Sequence, residues 1–169
     1  KDISFFLSNH KNYKMTEILT HKNLEYSIKI IDSKETYSVR HPILRKGKPL
    51  ESCIFDGDDL ETTFHLGLFS EEKLIGICTF LKKKYNVLSE THQYQLRGMA
   101  ILNDFQGKGF GHIILKYGES LLKNKKAKIV WCNAREVAVN FYKKSNYKII
   151  GESFDVKGIG LHYTMFKQL

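Results

Sequence analysis

The sequence predicts an α/β (α+β) fold, a mixed sheet with helices packed against it. Short alternating segments rich in Ile and Phe dominate the first half of the chain, and in the second half two amphipathic segments each follow an apolar strand. Two further strands close the sequence, so the order is strands, strand–helix, strand–helix, strands. At 169 residues with 42% hydrophobic and 27% charged side chains, the chain is predicted to be one domain, 1–169.

The first half is predicted to consist mainly of strands. Residues 1–24 are expected to form an irregular or partly helical lead-in. Residues 35–47 predict a short helix that Pro42 interrupts or redirects. Alternation of apolar and polar side chains predicts strands at 25–32, 63–70 and 73–84, the last two as antiparallel partners.

The second half alternates between strands and helices. Strands are predicted at 92–102, 127–134, 147–154 and 160–169. After a glycine-rich segment, apolar side chains recur at helical spacing at Phe110, Ile114, Tyr117 and Leu121. Residues 135–146 predict a second helix with Phe141 and Tyr142 on one side.

Composition narrows the class of protein. No apolar run approaches the roughly 20 residues that cross a bilayer, and the apolar stretch in the first residues is too short for a signal peptide. We therefore expect a cytoplasmic protein. Cys53, Cys78 and Cys132 are odd in number and widely spaced, which favours free thiols in a reducing compartment over a disulfide framework or a metal site.

The net charge of +9 is unevenly distributed. Lysines cluster at 82–84 and 123–128, whereas 51–61 holds five acids and no base. These segments are either solvated loops or two faces of opposite charge that serve different ligands. A basic surface also leaves a nucleic-acid-binding domain open, although the aromatic residues fall mostly at inward positions and not among the lysines.

The segment "NDFQGKGFGHIIL" (103–115) places three glycines where a helix begins. It lacks the Ser or Thr of a P-loop, and its G-x-G-x-G spacing differs from the G-x-G-x-x-G of dinucleotide-binding folds. Two interpretations remain open. The glycines either form a tight strand-to-helix turn, or they let a phosphate approach the unpaired amides at the helix start, which Lys108 favours.

The same segment, read with its strand as "LRGMAILNDFQGKGFGHIIL", resembles the coenzyme-A signature of the GNAT superfamily of N-acetyltransferases, [Q/R]-x-x-G-x-[G/A]. Gln106, Gly109 and Gly111 occupy its defining positions. Downstream, "AREVAVNFYKKSNYKIIGE" resembles the second family motif, with Ala138, Tyr142 and Tyr147 at its positions. The combination is most similar to the small bacterial ElaA-like and YjcF-like members.

This resemblance implies a mostly antiparallel sheet of about seven strands with helices on both faces. The sheet would be splayed between its fourth and fifth strands, mapped to 92–102 and 127–133, with acetyl-CoA in the gap. The pantetheine would pair with the free edge of the fourth strand. The resemblance implies acetyl-CoA contacts at Met99, Ala100, Ile101, Gln106, Gly107, Lys108, Gly109, Phe110 and Gly111, and no metal.

The implied activity is acetyl transfer from acetyl-CoA to a primary amine of a small molecule or peptide, by direct attack on the thioester. Tyr142 would protonate the leaving thiolate, and the backbone N–H of Met99 or Ala100 would stabilise the thioester oxygen. Asn133 would bind pantetheine or substrate, or serve only as a strand end. The general base stays open among His65, Glu90, His162 and water.

Some positions depart from the family pattern. Arg135 stands where the second helix of the family often has Asn, and Asn146 stands in place of a Gly. The acidic residues of 51–61 would favour a cationic acceptor, such as a polyamine, an aminated sugar or a lysine side chain, unless they are only solvated. The alternative functions are a non-catalytic CoA-binding sensor and, less favoured, a nucleic-acid-binding domain. The last strand pair offers an edge for a homodimer.

Overall fold

One continuous sheet runs through the residues described by the computed structural model, 17–21 and 24–169. Its strands are β1 (Glu17–His21), β2 (Leu24–Ile31), β3 (Phe64–Ser70), β4 (Lys73–Lys82), β5 (Gln93–Ile101), β6 (Ile129–Arg135), β7 (Lys148–Ile149), β8 (Phe154–Val156) and β9 (Gly160–Gln168). The order is β1-β2-β3-β4-β5-β6-β9-β7, with β8 also paired to β9. All pairs are antiparallel except the parallel pair β5–β6. The mixed, mostly antiparallel sheet is confirmed.

The strand count differs from the expected seven in two places. The lead-in 1–24 contains β1 and the first residue of β2, so the expectation of irregular or partly helical structure was wrong at 17–21 and at Leu24, and its residues 1–16 and 22–23 lie outside those described. The predicted strand 147–154 is divided into β7 and β8. Gly151, with φ +74°, lies between them, and this left-handed conformation turns the chain.

The helices are α1 (Tyr37–Leu44), α2 (Phe110–Asn124) and α3 (Val139–Lys144). Pro42 lies inside α1 and does not interrupt it, because the helix continues for two more residues before it ends at Arg45. The predicted helix 135–146 is shorter in the structure, since Arg135 still belongs to β6 and a 3-10 turn precedes α3.

Helices cover both faces of the sheet, as expected. Side chains of α2 and α3 pack with alternate strand residues into the larger core, whereas α1 packs on the other face through Val39 against Ile77 and Ala100. Gly118 lets α2 lie close to the sheet, because a Cβ there would come within 2.2 Å of the Phe80 ring. We call these two sides the α2 face and the α1 face.

Candidate active site

The parallel pair β5–β6 opens into a gap after three residues. Pairing runs only from Gln93–Ile129 to Gln95–Trp131, after which β6 continues along β9, and none of the strands in residues 17–21 and 24–169 pairs with the second half of β5 on that side. The splay predicted between 92–102 and 127–133 is therefore present. It exposes the backbone edge of Met99, Ala100 and Ile101 toward the gap.

A bulge in β5 sets which residues face which side of the sheet. Thr79 pairs with Arg97 and Ile77 with Ala100, so Gly98 and Met99 together lie opposite Cys78. Gly98 has φ +59°, which a side chain would strain. The extra residue brings Met99 onto the α2 face and Ala100 onto the α1 face.

No role was assigned to Gly98 from the sequence. The available signal was a glycine inside an otherwise regular strand pattern, which indicates a bulge or a close backbone approach. Both apply here. A Cβ at Gly98 would lie 3.2 Å from the Arg40 guanidinium and 3.3 Å from the Phe55 ring, and both belong to segments that cover the α1 face.

The glycine segment forms an exposed turn between β5 and α2. Gly107 and Gly109 have φ +71° and +89°, and Gly109 is the N-cap of α2, whose first amides point out of the helix. The side-chain amide of Gln106 donates to the Ile101 carbonyl at 2.8 Å and to the Asn103 side chain at 3.2 Å. Gln106 thus fixes the turn to the end of β5.

The other predicted residues of this segment differ in environment. Phe110 is buried, with its ring centroid 6.0 Å from that of Tyr26 and 6.2 Å from that of Phe105. The ammonium of Lys108 is exposed and lies 5.4 Å from the centre of the Phe105 ring. Of these two, only Lys108 therefore presents a side chain at the surface of the turn.

Gly111 has a different reason for being glycine. It is helical, and a Cβ there would lie 3.0 Å from the Phe141 ring and 3.6 Å from the Met99 side chain. Phe141 is in turn stacked on His112, with centroids 4.5 Å apart. Gly107 and Gly109 thus shape an open turn and Gly111 makes room for packing, while phosphate binding at this turn stays a prediction.

Tyr142 lies next to the bulge on the α2 face. Its hydroxyl donates to the Met99 sulfur at 3.7 Å, and its side chain is 7% exposed. Burial, and secondarily the thiols Cys132 and Cys78, raises the pKa of Tyr142 well above its ordinary value of about 10. The phenol therefore stays protonated and is able to donate at neutral pH.

Asn133 lies across the gap on the α1 face. Its neighbours in β6, Cys132 and Ala134, point into the α2-face core, so Asn133 and Arg135 point the other way. Asn133 is exposed and accepts a hydrogen bond from Thr164 at 3.0 Å. Tyr142 and Asn133 thus approach the gap from opposite faces.

The candidate general bases differ in the hydrogen bonds of their side chains and in their distance from the open part of the gap. His65 is buried and uses both ring nitrogens, with Nδ1 2.8 Å from the Thr79 hydroxyl and Nε2 2.9 Å from the Asp58 carbonyl oxygen. Glu90 precedes β5 at the closed end of the β5–β6 pair. His162 pairs with Arg135 across β6–β9, and its Nδ1 lies 2.7 Å from the Gly160 carbonyl oxygen.

The acidic segment 51–61 is held over the α1 face by a buried ion pair. Arg40 is fully buried, and its Nη1 lies 2.5 Å from Asp58 Oδ2 and 2.6 Å from the Cys53 carbonyl oxygen. Its Nη2 donates to Thr79 at 3.1 Å. The most buried acid of the segment is therefore already neutralised by Arg40.

Three further findings concern the described residues as a set. Cys53, Cys78 and Cys132 are buried free thiols. Within residues 17–21 and 24–169, no three His, Cys, Asp or Glu side chains are grouped so that they could hold a metal ion. None of the helices in the same part of the chain is both long and apolar enough to cross a bilayer.

Comparison with known proteins places these features in context. The acetyltransferase (GNAT) family profile matches residues 27–147. The uncharacterised N-acetyltransferase YitI of Bacillus subtilis is 39% identical over 142 residues, which cover 84% of this chain and 95% of YitI.

Solved structures share the fold at low sequence identity. Escherichia coli ElaA superposes with a TM-score of 0.66 at 15% identity, covering 84% of this chain and 99% of ElaA. A GNAT acetyltransferase from Elizabethkingia anophelis with acetyl-CoA bound superposes with a TM-score of 0.62 at 14% identity, covering 85% of this chain and 98% of that one.

Proposed function

The chain belongs to the GNAT family of acetyltransferases, and we propose that it transfers the acetyl group of acetyl-CoA to a primary amine of a small molecule or peptide. The observation that carries this proposal is the gap between β5 and β6, with the protonated Tyr142 beside Met99 at its edge. The acetyl donor would bind from the α2 face and the amine would approach from the α1 face.

The residues of the turn and of β5 fit coenzyme A. Gly107 and Gly109 are exposed and left-handed, so no side chain of theirs would keep a pyrophosphate from the amides that begin α2. Lys108 adds a positive charge at the same place. The unpaired edge of Met99, Ala100 and Ile101 offers backbone groups to which the amides of pantetheine would bind as an added strand.

When bound, acetyl-CoA supplies an activated thioester. Tyr142 would give its proton to the departing thiolate, since its hydroxyl lies beside Met99 at the edge of the gap and stays protonated at neutral pH. A backbone N–H of Met99 or Ala100 would donate to the thioester oxygen, as an oxyanion site does. Asn133 would orient the amine or the pantetheine from the α1 face.

The amine must lose a proton before it attacks, since an alkyl ammonium has a pKa of about 10.4. The engagement of both His65 nitrogens argues against that residue, and Glu90 lies at the closed end of the strand pair. His162 would accept the proton through Nε2, or a water on the α1 face would do so.

Calorimetric titration with acetyl-CoA tests the first half of the proposal, and release of free CoA thiol with a panel of amines tests the second. We expect micromolar binding and amine-dependent thiol release. Binding without release for any amine would instead favour the non-catalytic CoA sensor. Stacking on single-stranded nucleic acid needs exposed aromatic rings, whereas the exposed large apolar side chains among residues 25–169 are all aliphatic.

A further inference from the structure

Four arginines from three segments of the chain gather on the α1 face beside the gap. Arg40 and Arg45 belong to α1 and its C-cap, Arg97 to β5 and Arg135 to the end of β6. Three of them surround Phe55: the guanidinium carbons of Arg40, Arg45 and Arg97 lie 4.1, 4.6 and 4.8 Å from the centre of its ring. A single aromatic side chain thus gathers three positive charges.

The cluster lies at the gap and not elsewhere on the face. Phe55 packs against the bulge residue Gly98, where a Cβ would lie 3.3 Å from its ring. Arg97 is the second residue after the last β5–β6 pair, and Arg135 is two residues beyond Asn133 on the same face. An acceptor that reaches the thioester from the α1 face would pass these side chains.

Three of the four arginines, Arg45, Arg97 and Arg135, form no ion pair within the described residues. The ion pairs there are Arg40 with Asp58 and Lys167 with Glu119, so Arg45, Arg97 and Arg135 are not included. Backbone carbonyls hold them instead. Arg45 and Arg135 both donate to the Leu44 carbonyl, at 2.9 and 3.1 Å, and Arg97 donates to the Asp56 carbonyl at 2.6 Å.

Burial is the main reason why the protonated state of two of these arginines is weakened. Burial, followed by the charge of Arg135, lowers the pKa of Arg45 below its ordinary value, and burial lowers the pKa of Arg97. Arg135 also lines a cavity of about 200 Å³ together with Lys46 and Lys48, and none of the described residues that line it is an acid. Half-buried guanidinium groups fixed in this way form a site that an anion would complete.

We infer that the acceptor amine carries an anionic group, a carboxylate or a phosphate, which Arg45, Arg97 and Arg135 bind beside the gap. This inference rests on the proposed acetyl transfer and specifies its substrate class. It differs from the cationic acceptor that the acidic segment 51–61 favoured: Asp58 of that segment is paired with Arg40, and its other four acids are exposed to solvent. The fork of N–H groups on each guanidinium matches two oxyanion oxygens at once.

Two pairs of amines isolate the contribution of the anionic group. Lysine and cadaverine present the same terminal amine with and without a carboxylate, and phosphoethanolamine and ethanolamine differ by a phosphate. We expect the anionic member of at least one pair to have a kcat/KM at least tenfold higher, since a charge-assisted hydrogen bond contributes about 1.5–3 kcal/mol. The pair that shows the preference identifies the oxyanion.

Variants assign the preference to the arginines. In Arg97→Gln and Arg135→Gln, the ratio of kcat/KM between the two amines of a pair is expected to fall to about one. Arg97→Lys and Arg135→Lys are expected to retain part of the preference for the anionic amine. Lys123→Gln removes the same charge from the exposed C-terminal end of α2 and should leave the ratio unchanged. If an arginine had only a structural role, its substitution would lower kcat/KM equally for both amines of a pair.

The inference and the proposed function fail in different ways. An equal or higher kcat/KM for the amines that lack the anionic group, or a ratio that survives both Gln substitutions, overturns the inference while acetyl transfer stands. Binding of acetyl-CoA without thiol release from any of the four amines also overturns it. Failure of the wild-type protein to bind acetyl-CoA overturns the proposed function itself.

Discussion

The two faces of the sheet at β5 offer different kinds of groups to the gap. On the α2 face the available groups are backbone amides, at a turn whose Gly107 and Gly109 adopt left-handed conformations. On the α1 face they are guanidinium side chains, held by the carbonyls of Leu44 and Asp56. On the α2 face the glycines leave backbone amides uncovered, whereas on the α1 face several segments bring their arginine side chains together.

This difference separates binding by backbone groups from binding by side chains. A site made of backbone amides binds the pyrophosphate of any coenzyme A and needs only glycines at fixed spacing. A site made of side chains depends on which residues several segments bring together, so it is the place where an acceptor would be selected. Substitutions on the two faces should therefore affect different measured quantities.

Breaking the buried ion pair of the α1 face should have the largest effect. Arg40→Met leaves the carboxylate of Asp58 buried without its partner, which we expect to lower the free energy of unfolding by about 3–5 kcal/mol. Urea denaturation followed by circular dichroism measures it.

Two further variants control for this result. The double variant Arg40→Met/Asp58→Asn should recover part of the loss, because the unpaired charge is gone. Arg97→Gln removes a guanidinium from the same face without leaving a buried acid unpaired, and it should cost little stability. A loss in Arg97→Gln as large as in Arg40→Met would show that the whole cluster is structural.

An acid in the glycine turn should abolish cofactor binding without changing the α1 face. Gly109→Glu places a side chain and a negative charge at a left-handed position beside the amides of α2. We expect acetyl-CoA affinity in calorimetry to fall about a thousandfold, as when two charge-assisted hydrogen bonds are lost.

The matched control is Gly151→Glu, which adds the same charge at φ +74° in open space. It carries a similar backbone strain away from the turn. If both variants bind acetyl-CoA equally well, the turn is not the pyrophosphate site.

Removing one hydroxyl should separate chemistry from binding. Tyr142→Phe should lower kcat for thiol release about a hundredfold, the contribution of a general acid, with acetyl-CoA affinity unchanged. Tyr147→Phe is the control, because its buried ring lies 5.3 Å from that of Tyr142. Equal kcat values in the wild type and Tyr142→Phe would exclude Tyr142 as the proton donor.

The pKa of Tyr142 adds a pH dependence to this prediction. Because burial raises that pKa, the donating form persists through the ordinary value of about 10 and is lost only above it. The kcat for thiol release should therefore not decline between about pH 8 and about pH 10, the ordinary pKa of a tyrosine. A decline there would assign the proton donor to another group.

The smallest expected effect distinguishes the third glycine from the other two. Gly111→Ala forces a Cβ against Phe141 and should cost about 1 kcal/mol of stability, since overpacking is partly offset by the higher helix propensity of Ala. Phe141→Leu in the same chain should relieve it. Loss of acetyl-CoA affinity without loss of stability would instead make Gly111 part of the pyrophosphate site.

The elements that the sequence predicted well are those whose structure is fixed by residues that are neighbours in the chain. Glycines before an apolar helical stripe leave few conformations, so the turn at 107–111 and the start of α2 were predictable. The strands 63–70 and 73–84 show clear alternation or apolar runs, and both are confirmed. Errors arose where neighbours decide, as in β1, whose pairing with β2 settles the structure of the lead-in.

The sequence by itself determined the fold class, the family and the glycine turn before α2, because each is indicated by patterns of residues close together in the chain. Only the tertiary structure decided the bulge at Gly98, which brings Met99 to Tyr142, and the pairing of Asp58 with Arg40. Arg45, Arg97 and Arg135 meet beside the gap for the same reason: packing of α1 and the loop of Phe55 on the sheet joins segments far apart in sequence. No local pattern encodes a contact of that range.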